Sequence, residues 1–145
     1  MTRVIIDTGV IISAGLQPEG TSNRAFLFAL FHCQPLVSFD TYSELERVLN
    51  KTKFATKISE LTKTDILKTI LIKSIKIEVT SRLLVCRDPT DDMFINLAIA
   101  GNADVIVTRD NDLLALHPFK SLPILSPTDF LKLFWILFIL QVVGV

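Results

Sequence analysis

Two short β-branched runs constrain this chain more than anything else in it. The run from Arg3 to Ile6 leads straight to Asp7, and Val105, Ile106 and Val107 lead through Thr108 and Arg109 to Asp110. Runs of this length and composition read as buried strands. Each delivers a carboxylate to the carboxyl end of its strand. A charge that closes an apolar strand needs a partner, so packing alone does not account for Asp7.

Helical sequence fills the gaps between such strands. Thr21 and Ser22 are candidate caps for an amphipathic helix over residues 23–33, which Pro35 stops. Leu36 to Phe39 reads as a second strand. Asp40 and Thr41 then cap a helix over residues 42–50, with Leu45, Val48 and Leu49 on one face. Thr62 or Thr64 caps a further helix, and Ile75 to Val79 reads as a strand or a helix exit. After the break at Asp88-Pro89, a helix runs from Asp91 to Gly101-Asn102. Asp104 to Thr108 is a strand and residues 111–116 a short helix. Leu122 to Leu125 is a last strand, which Pro123 confines to a sheet edge. Ser126-Pro127 opens a final helix. Strands alternating with helices predict an α/β fold with a mostly parallel sheet, in which ligands sit beyond the carboxyl ends of the strands.

With 145 residues, half of them hydrophobic, the chain is the size of one domain with a substantial core. Its formal net charge is zero, but residues 47–87 hold ten bases against three acids. A basic middle between acidic flanks suggests two surfaces with separate tasks, or simply solvated helix faces. Cys33 and Cys86 form no CxxC pattern, and His32 and His117 form no HxH or HExxH pattern. Zinc is therefore not expected, and the thiols read as buried and reduced in a cytoplasmic protein. The opening MTRVIID carries an acid at residue 7 and does not read as a signal peptide.

The acids near strand ends and helix starts are Asp7, Glu44, Asp91, Asp92, Asp110 and Asp112. An acid at a helix start is often only a cap or a dipole partner, which is the competing explanation for Asp91, Asp92 and Asp112. Brought together, such carboxylates repel one another unless a cation is bound. An all-oxygen ligand set selects a hard ion, Mg²⁺ or Mn²⁺, over zinc.

The segments VIIDTGVIISA, YSELERVLNKTKF and RDPTDDMFINLAIAGNADVIVTRDNDLLAL carry these acids in order, and together they resemble the PIN-domain family. The likeness is to its VapC-like members, the toxin components of toxin–antitoxin systems, and it covers roughly residues 3–130. It implies a three-layer α/β/α fold over residues 1–129; residues 130–145, mostly beyond the likeness, read by their composition as an apolar C-terminal helix or tail. It also implies Mg²⁺- or Mn²⁺-dependent endoribonuclease activity; the alternatives are an inactive PIN-like domain that binds nucleic acid or protein, and a DNA- or RNA-processing nuclease unrelated to toxin–antitoxin systems. Carried over by position, Asp7, Glu44, Asp92 and Asp110 are the catalytic, metal-binding acids, with Asp91 the rival to Asp92. Thr8, Thr108 and Asp112 are supporting groups. Gly9 departs from the pattern, standing where relatives often have Asn.

The chemistry expected is hydrolysis of RNA phosphodiester bonds by an activated water, needing no Ser or His nucleophile. Arg47, Lys51, Lys53 and Lys57 are the candidate RNA contacts, since bases on phosphates position a strand without reading its sequence. The resemblance also implies an antitoxin protein as a possible partner. The tail, FLKLFWILFILQVVGV, falls short of the ~20 residues needed to span a bilayer. It is expected to be buried against the domain or in a homodimer, with membrane association and a disordered or aberrant extension the lesser alternatives.

Overall fold

The computed structural model describes residues 1–144, the side chains of Thr52 and Ala55 excepted; Val145, the end of the expected tail, lies outside them. The elements run β1 (Arg3–Ile6), α1 (Thr8–Leu16), α2 (Thr21–His32), β2 (Gln34–Val37), α3 (Phe39–Leu49), α4 (Thr52–Ala55), α5 (Glu60–Lys73) and β3 (Ile75–Lys76). A 3₁₀ turn at Pro89–Asp91 then leads into α6 (Asp92–Gly101), β4 (Val105–Val107), α7 (Asn111–Leu114), β5 (Ile124–Leu125) and α8 (Pro127–Val142).

The five strands form one sheet in the order β3-β2-β1-β4-β5, and every neighbouring pair is parallel. Side chains alternate across it with the two-residue period of a strand. Val4, Val105 and Val107 face α1, α2 and α8, whereas Ile5, Leu36, Ile106 and Ile124 face α6 and α7. The outcome is the three-layer α/β/α arrangement. α3 and α5 extend the first helical layer through Leu45, Leu49, Ile66 and Ile70. β5 lies at the edge, where a strand preceded by Pro123 belongs.

Caps moved several boundaries from where the sequence suggested them. Ser38, not Asp40 or Thr41, is the N-cap of α3: its hydroxyl accepts from the Thr41 amide at 3.1 Å, and Thr41 Oγ1 accepts from the Ser38 amide at 3.0 Å. This reciprocal pair turns the chain helical at Phe39, so β2 ends at Val37 and the Phe39 ring is left in solvent. Ser59 likewise starts α5 ahead of Thr62 and Thr64. α2 begins at Thr21, with Gly20 as its N-cap and no capping side chain.

α8 crosses the expected boundary at residue 130 without a break. Ser126 caps it, accepting from the Asp129 amide at 3.1 Å, and Phe130 in its first turns is fully buried. Phe28 of α2 meets Phe130, Trp135 and Phe138 edge-on at ring separations of 5.8 to 6.1 Å. Beyond those contacts Trp135, Ile136, Leu137, Ile139, Leu140, Val142 and Val143 are exposed. Among the described residues no helix is long and apolar enough to cross a membrane.

Candidate metal centre and nucleic-acid cleft

The sheet order places the carboxyl ends of β1 and β4 side by side at its centre. From there the chain leaves β1 toward β2 and leaves β4 toward β5, so a crevice opens between them. The Asp7 amide donates to Val107 O at 2.9 Å, extending the ladder by one residue and fixing the first acid beside the second strand. The Thr108 hydroxyl donates to Asp7 Oδ2 at 2.5 Å and accepts from the Asp110 amide at 2.9 Å. Asp110 Oδ1 in turn accepts from the Asp112 amide at 2.8 Å and so caps α7. One hydroxyl thus ties the ends of the two central strands together.

The third acid arrives from the 3₁₀ turn. Asp88 organises that turn, accepting from the Thr90 amide at 3.0 Å and the Thr90 hydroxyl at 2.8 Å. Asp91 follows and is buried. Its carboxylate and those of Asp110 and Asp112 offer oxygens that all lie within 4.8 Å of one another. Asp91 Oδ2 is buried with no hydrogen-bond partner. Burial, a hydrogen bond to Asp110 and the charges of Asp110, Asp7 and Asp88 hold the Asp91 carboxyl far above the usual range. Burial also raises Asp7, against the Thr108 hydrogen bond and with the charge of Asp110 adding to it.

Asp92, expected as the third metal acid, stands elsewhere. Its Oδ1 accepts from the Val85 and Cys86 amides at 3.0 and 2.8 Å, pinning the segment ahead of the turn to the side of α6. Asn96, one helical turn on, does the same for Leu83. Burial of Asp92 is outweighed by the Cys86 and Val85 amides and the Cys86 thiol, which bring its pKa below the usual range. The place expected for Asp92 is occupied by Asp91, because the tighter 3₁₀ turn rotates Asp91 toward the crevice. Cys86 is half-buried, not buried as expected. Burial and the adjoining Asp92 push its thiol up to about 12, and burial pushes the wholly buried Cys33 up to about 11.

The acids line an open cleft of about 510 Å³. Asp7, Thr8, Glu44, Asp91 and Asp110 all reach it, as do Arg47, Lys51 and Lys53 from the α3–α4 corner. Glu44 sits nearer that corner and pairs with Arg47 at 2.7 Å. Lys57 does not reach the cleft. Two other bases of residues 47–87 are committed elsewhere, Lys63 buried on Glu60 at 3.0 Å and Arg82 at 3.5 Å from Asp40, whereas Arg87 is 3.1 Å from Asp112 of the acid cluster. Gly9 lines the cleft, and a Cβ there would meet nothing within 4 Å. Asp88, Thr90 and Arg109 are cleft residues that sequence reasoning missed. The Asp-Pro break flagged the first two only as a turn, and Arg109 had no signal beyond its place between Thr108 and Asp110.

These residues fit a hard divalent cation. The donors are carboxylate oxygens, they are crowded enough to force one toward the neutral form, and one buried oxygen has no protein partner. His32 lies against the rings of Phe28 and Phe138, and His117 Nδ1 accepts from the Ile124 amide, so neither turns to the cleft.

A parallel α/β/α sheet with an acidic crevice at its switch point defines the class, and the chain belongs to the PIN-domain family, whose model matches residues 3–112. It is 31% identical over 121 residues to the protein MJ1680 of Methanocaldococcus jannaschii, covering 79% of this chain and 75% of that one. Among solved structures, it shares its fold with a chain of VapBC2 from Rickettsia felis, crystallised with a DNA fragment from its promoter. That likeness has a TM-score of 0.58 at 13% identity, over 86% of this chain and 98% of the other.

Proposed function

We propose that the protein is a Mg²⁺- or Mn²⁺-dependent endoribonuclease and the toxin of a toxin–antitoxin pair. The observation that carries the nuclease reading is the meeting of Asp91, Asp110 and Asp112 next to Asp7, with Asp91 Oδ2 buried and unpartnered. In this reading Asp7, Asp91 and Asp110 hold the ion, and Asp91 replaces Asp92 in that role. A bound divalent ion lowers the pKa of water and neutralises charge gathering on a phosphoryl group.

The protein's own groups do the rest. Thr108 orients Asp7 and the amide of Asp110 at once. Glu44, on the cleft wall, is placed to take a proton from the attacking water or to hold a second ion. Arg47, Lys51 and Lys53, at the α3–α4 corner of the cleft, hold the strand by its phosphates. Water attack expelling the 3′ oxygen leaves 5′-phosphate and 3′-hydroxyl ends. Incubation with labelled RNAs and DNAs in Mn²⁺, Mg²⁺ or chelator, with Asp110→Asn as control, tests the reading. Cleavage of RNA that needs metal and Asp110 supports it; no cleavage by a protein that binds Mn²⁺ counts against it.

Two partners go with this reading. The acidic cleft suits an arginine of an antitoxin, which would compete with the cation. Trp135, Ile136, Leu137, Ile139 and Leu140 of α8, with Leu27 and Phe31 of α2, are exposed, and large apolar side chains gathered in solvent mark an interaction surface. A second copy meeting it through the same face accounts for that surface. The helix has no basic polar face of the kind that lies on membranes.

A further inference from the structure

We propose that the hydroxyl-lined recess behind Arg109 is a phosphate subsite, which seats a backbone phosphodiester of the strand next to the one at the acids. This rests on the reading above, that the carboxylate cleft takes a phosphodiester. The recess has a volume of about 400 Å³ and is lined by Ser13, Thr21, Ser22, Arg109, Ser126 and Thr128, from α1, α2, the end of β4 and the start of α8. Arg109 also lines the acidic cleft, so cleft and recess share one wall.

The state of Arg109 distinguishes this recess from an ordinary polar hollow. Five carboxylates, Asp7, Glu44, Asp88, Asp91 and Asp110, line the same cleft, yet among the described residues Arg109 joins no ion pair. Its Nη1 instead donates to Ser13 Oγ at 3.0 Å and Ser22 Oγ at 3.1 Å. Two hydroxyls hold the guanidinium in place without neutralising it. Nε and Nη2 remain uncommitted, a planar fork suited to two oxygens of one phosphate. Ser13 and Ser22 act here as acceptors, and neither hydroxyl proton has an acceptor of its own among the described residues. The uncapped start of α2 at Thr21 and Ser22 adds amide donors to the same side.

The lining also says which part of a nucleic acid belongs there. Among the described residues no aromatic ring borders the recess, so a base has nothing to stack on, whereas an oxyanion meets a cation and several hydroxyls. The subsite therefore reads backbone, not sequence.

The test is fluorescence anisotropy with fluorescein-labelled oligouridine across a salt series, in Ca²⁺ so that the strand stays uncut. Arg109→Gln is expected to weaken binding about fivefold and to flatten the logarithmic salt slope by about 0.7, one phosphate's share on a single strand. Its Mn²⁺ affinity, read by calorimetry, should not fall, since removing a cation cannot weaken cation binding next door. Arg109→Lys keeps the charge and loses the fork; it should keep the slope and show intermediate affinity. Wild-type affinity and slope in Arg109→Gln would overturn the subsite, as would no oligouridine binding by a wild type that holds Mn²⁺. The nuclease reading fails separately, if the wild type binds no Mn²⁺ or cleaves no strand.

Discussion

The Thr108 hydroxyl donates to Asp7 Oδ2 at 2.5 Å, joining two residues that are 101 positions apart in sequence. Thr108 is fully buried, and its oxygen also receives the Asp110 amide. Thr108→Val keeps the shape but removes both bonds. It should cost about 2–3 kcal/mol of folding stability, the scale for stranding a buried carboxylate and an amide together, and lower Mn²⁺ affinity. Urea unfolding and calorimetry measure the two; an unchanged midpoint would refute the tie between the strands.

Asp91 and Asp92 should part company on mutation. Asp91→Asn removes a carboxyl that must ionise to hold the ion and is expected to abolish Mn²⁺ binding and RNA cleavage while leaving the melt at pH 8 in chelator near wild type or raising it. Asp92→Asn weakens the acceptor for the Val85 and Cys86 amides and should cost about 1–2 kcal/mol of stability, with Mn²⁺ affinity nearly unchanged. The reverse pattern in calorimetry and thermal melts would restore Asp92 to the metal.

The pH response follows from the raised carboxyls. Asp7 and Asp91 titrate above 3.8 in the folded protein, Asp91 reaching about 8, so the metal-free fold binds protons more tightly than the unfolded chain. Their contribution to stability is complete below the unfolded value and is lost as pH rises through the folded one. The stability difference between wild type and Asp91→Asn should therefore fall between about pH 4 and about pH 8 in chelator, and Mn²⁺ should reverse the fall. Near neutral pH, Mn²⁺ uptake should release protons, visible as a buffer-dependent calorimetric enthalpy.

Gly9 is in the first turn of α1 with open space at its Cβ position. Gly9→Asn should fold without strain, gain a few tenths of a kcal/mol from lower chain entropy, and raise cleavage in proportion to any added polar contact in the cleft. A melt well below wild type would show the space to be filled.

If α8 pairs two copies, light scattering on the eluting peak should give twice the chain mass, and Leu137→Glu with Ile136→Lys should halve it while the melt stays cooperative. A monomeric wild type would leave the apolar face without the proposed cover.

Much of this site was legible because strands announce themselves by composition. β1 was read with its observed bounds, and the runs ending at Asp7 and Asp110 proved to be sheet neighbours. The phase of the third acid was not legible. Two adjacent aspartates differ by about 100° around a helix, and which one faces the crevice is decided by the 3₁₀ turn that Asp88 caps and by amides from residues 85 and 86 that claim Asp92. The exposed Phe39 was misplaced in a strand because the Ser38–Thr41 capping pair is invisible to hydrophobic patterning. Arg109 was passed over because its role depends on serines 87 and 96 positions away.

The central pairing of β1 with β4 has a consequence for synthesis. The first strand is made at once, but its neighbour is about a hundred residues downstream, after β2 and β3. A nascent chain can therefore carry Asp7, Glu44 and Asp91 without bringing any of them to Asp110. Assembly of the acidic centre is postponed until the last third of the polypeptide has left the ribosome. A truncated product that stops before Thr108 should lack Asp110 and Asp112 and hold no Mn²⁺ in the cleft.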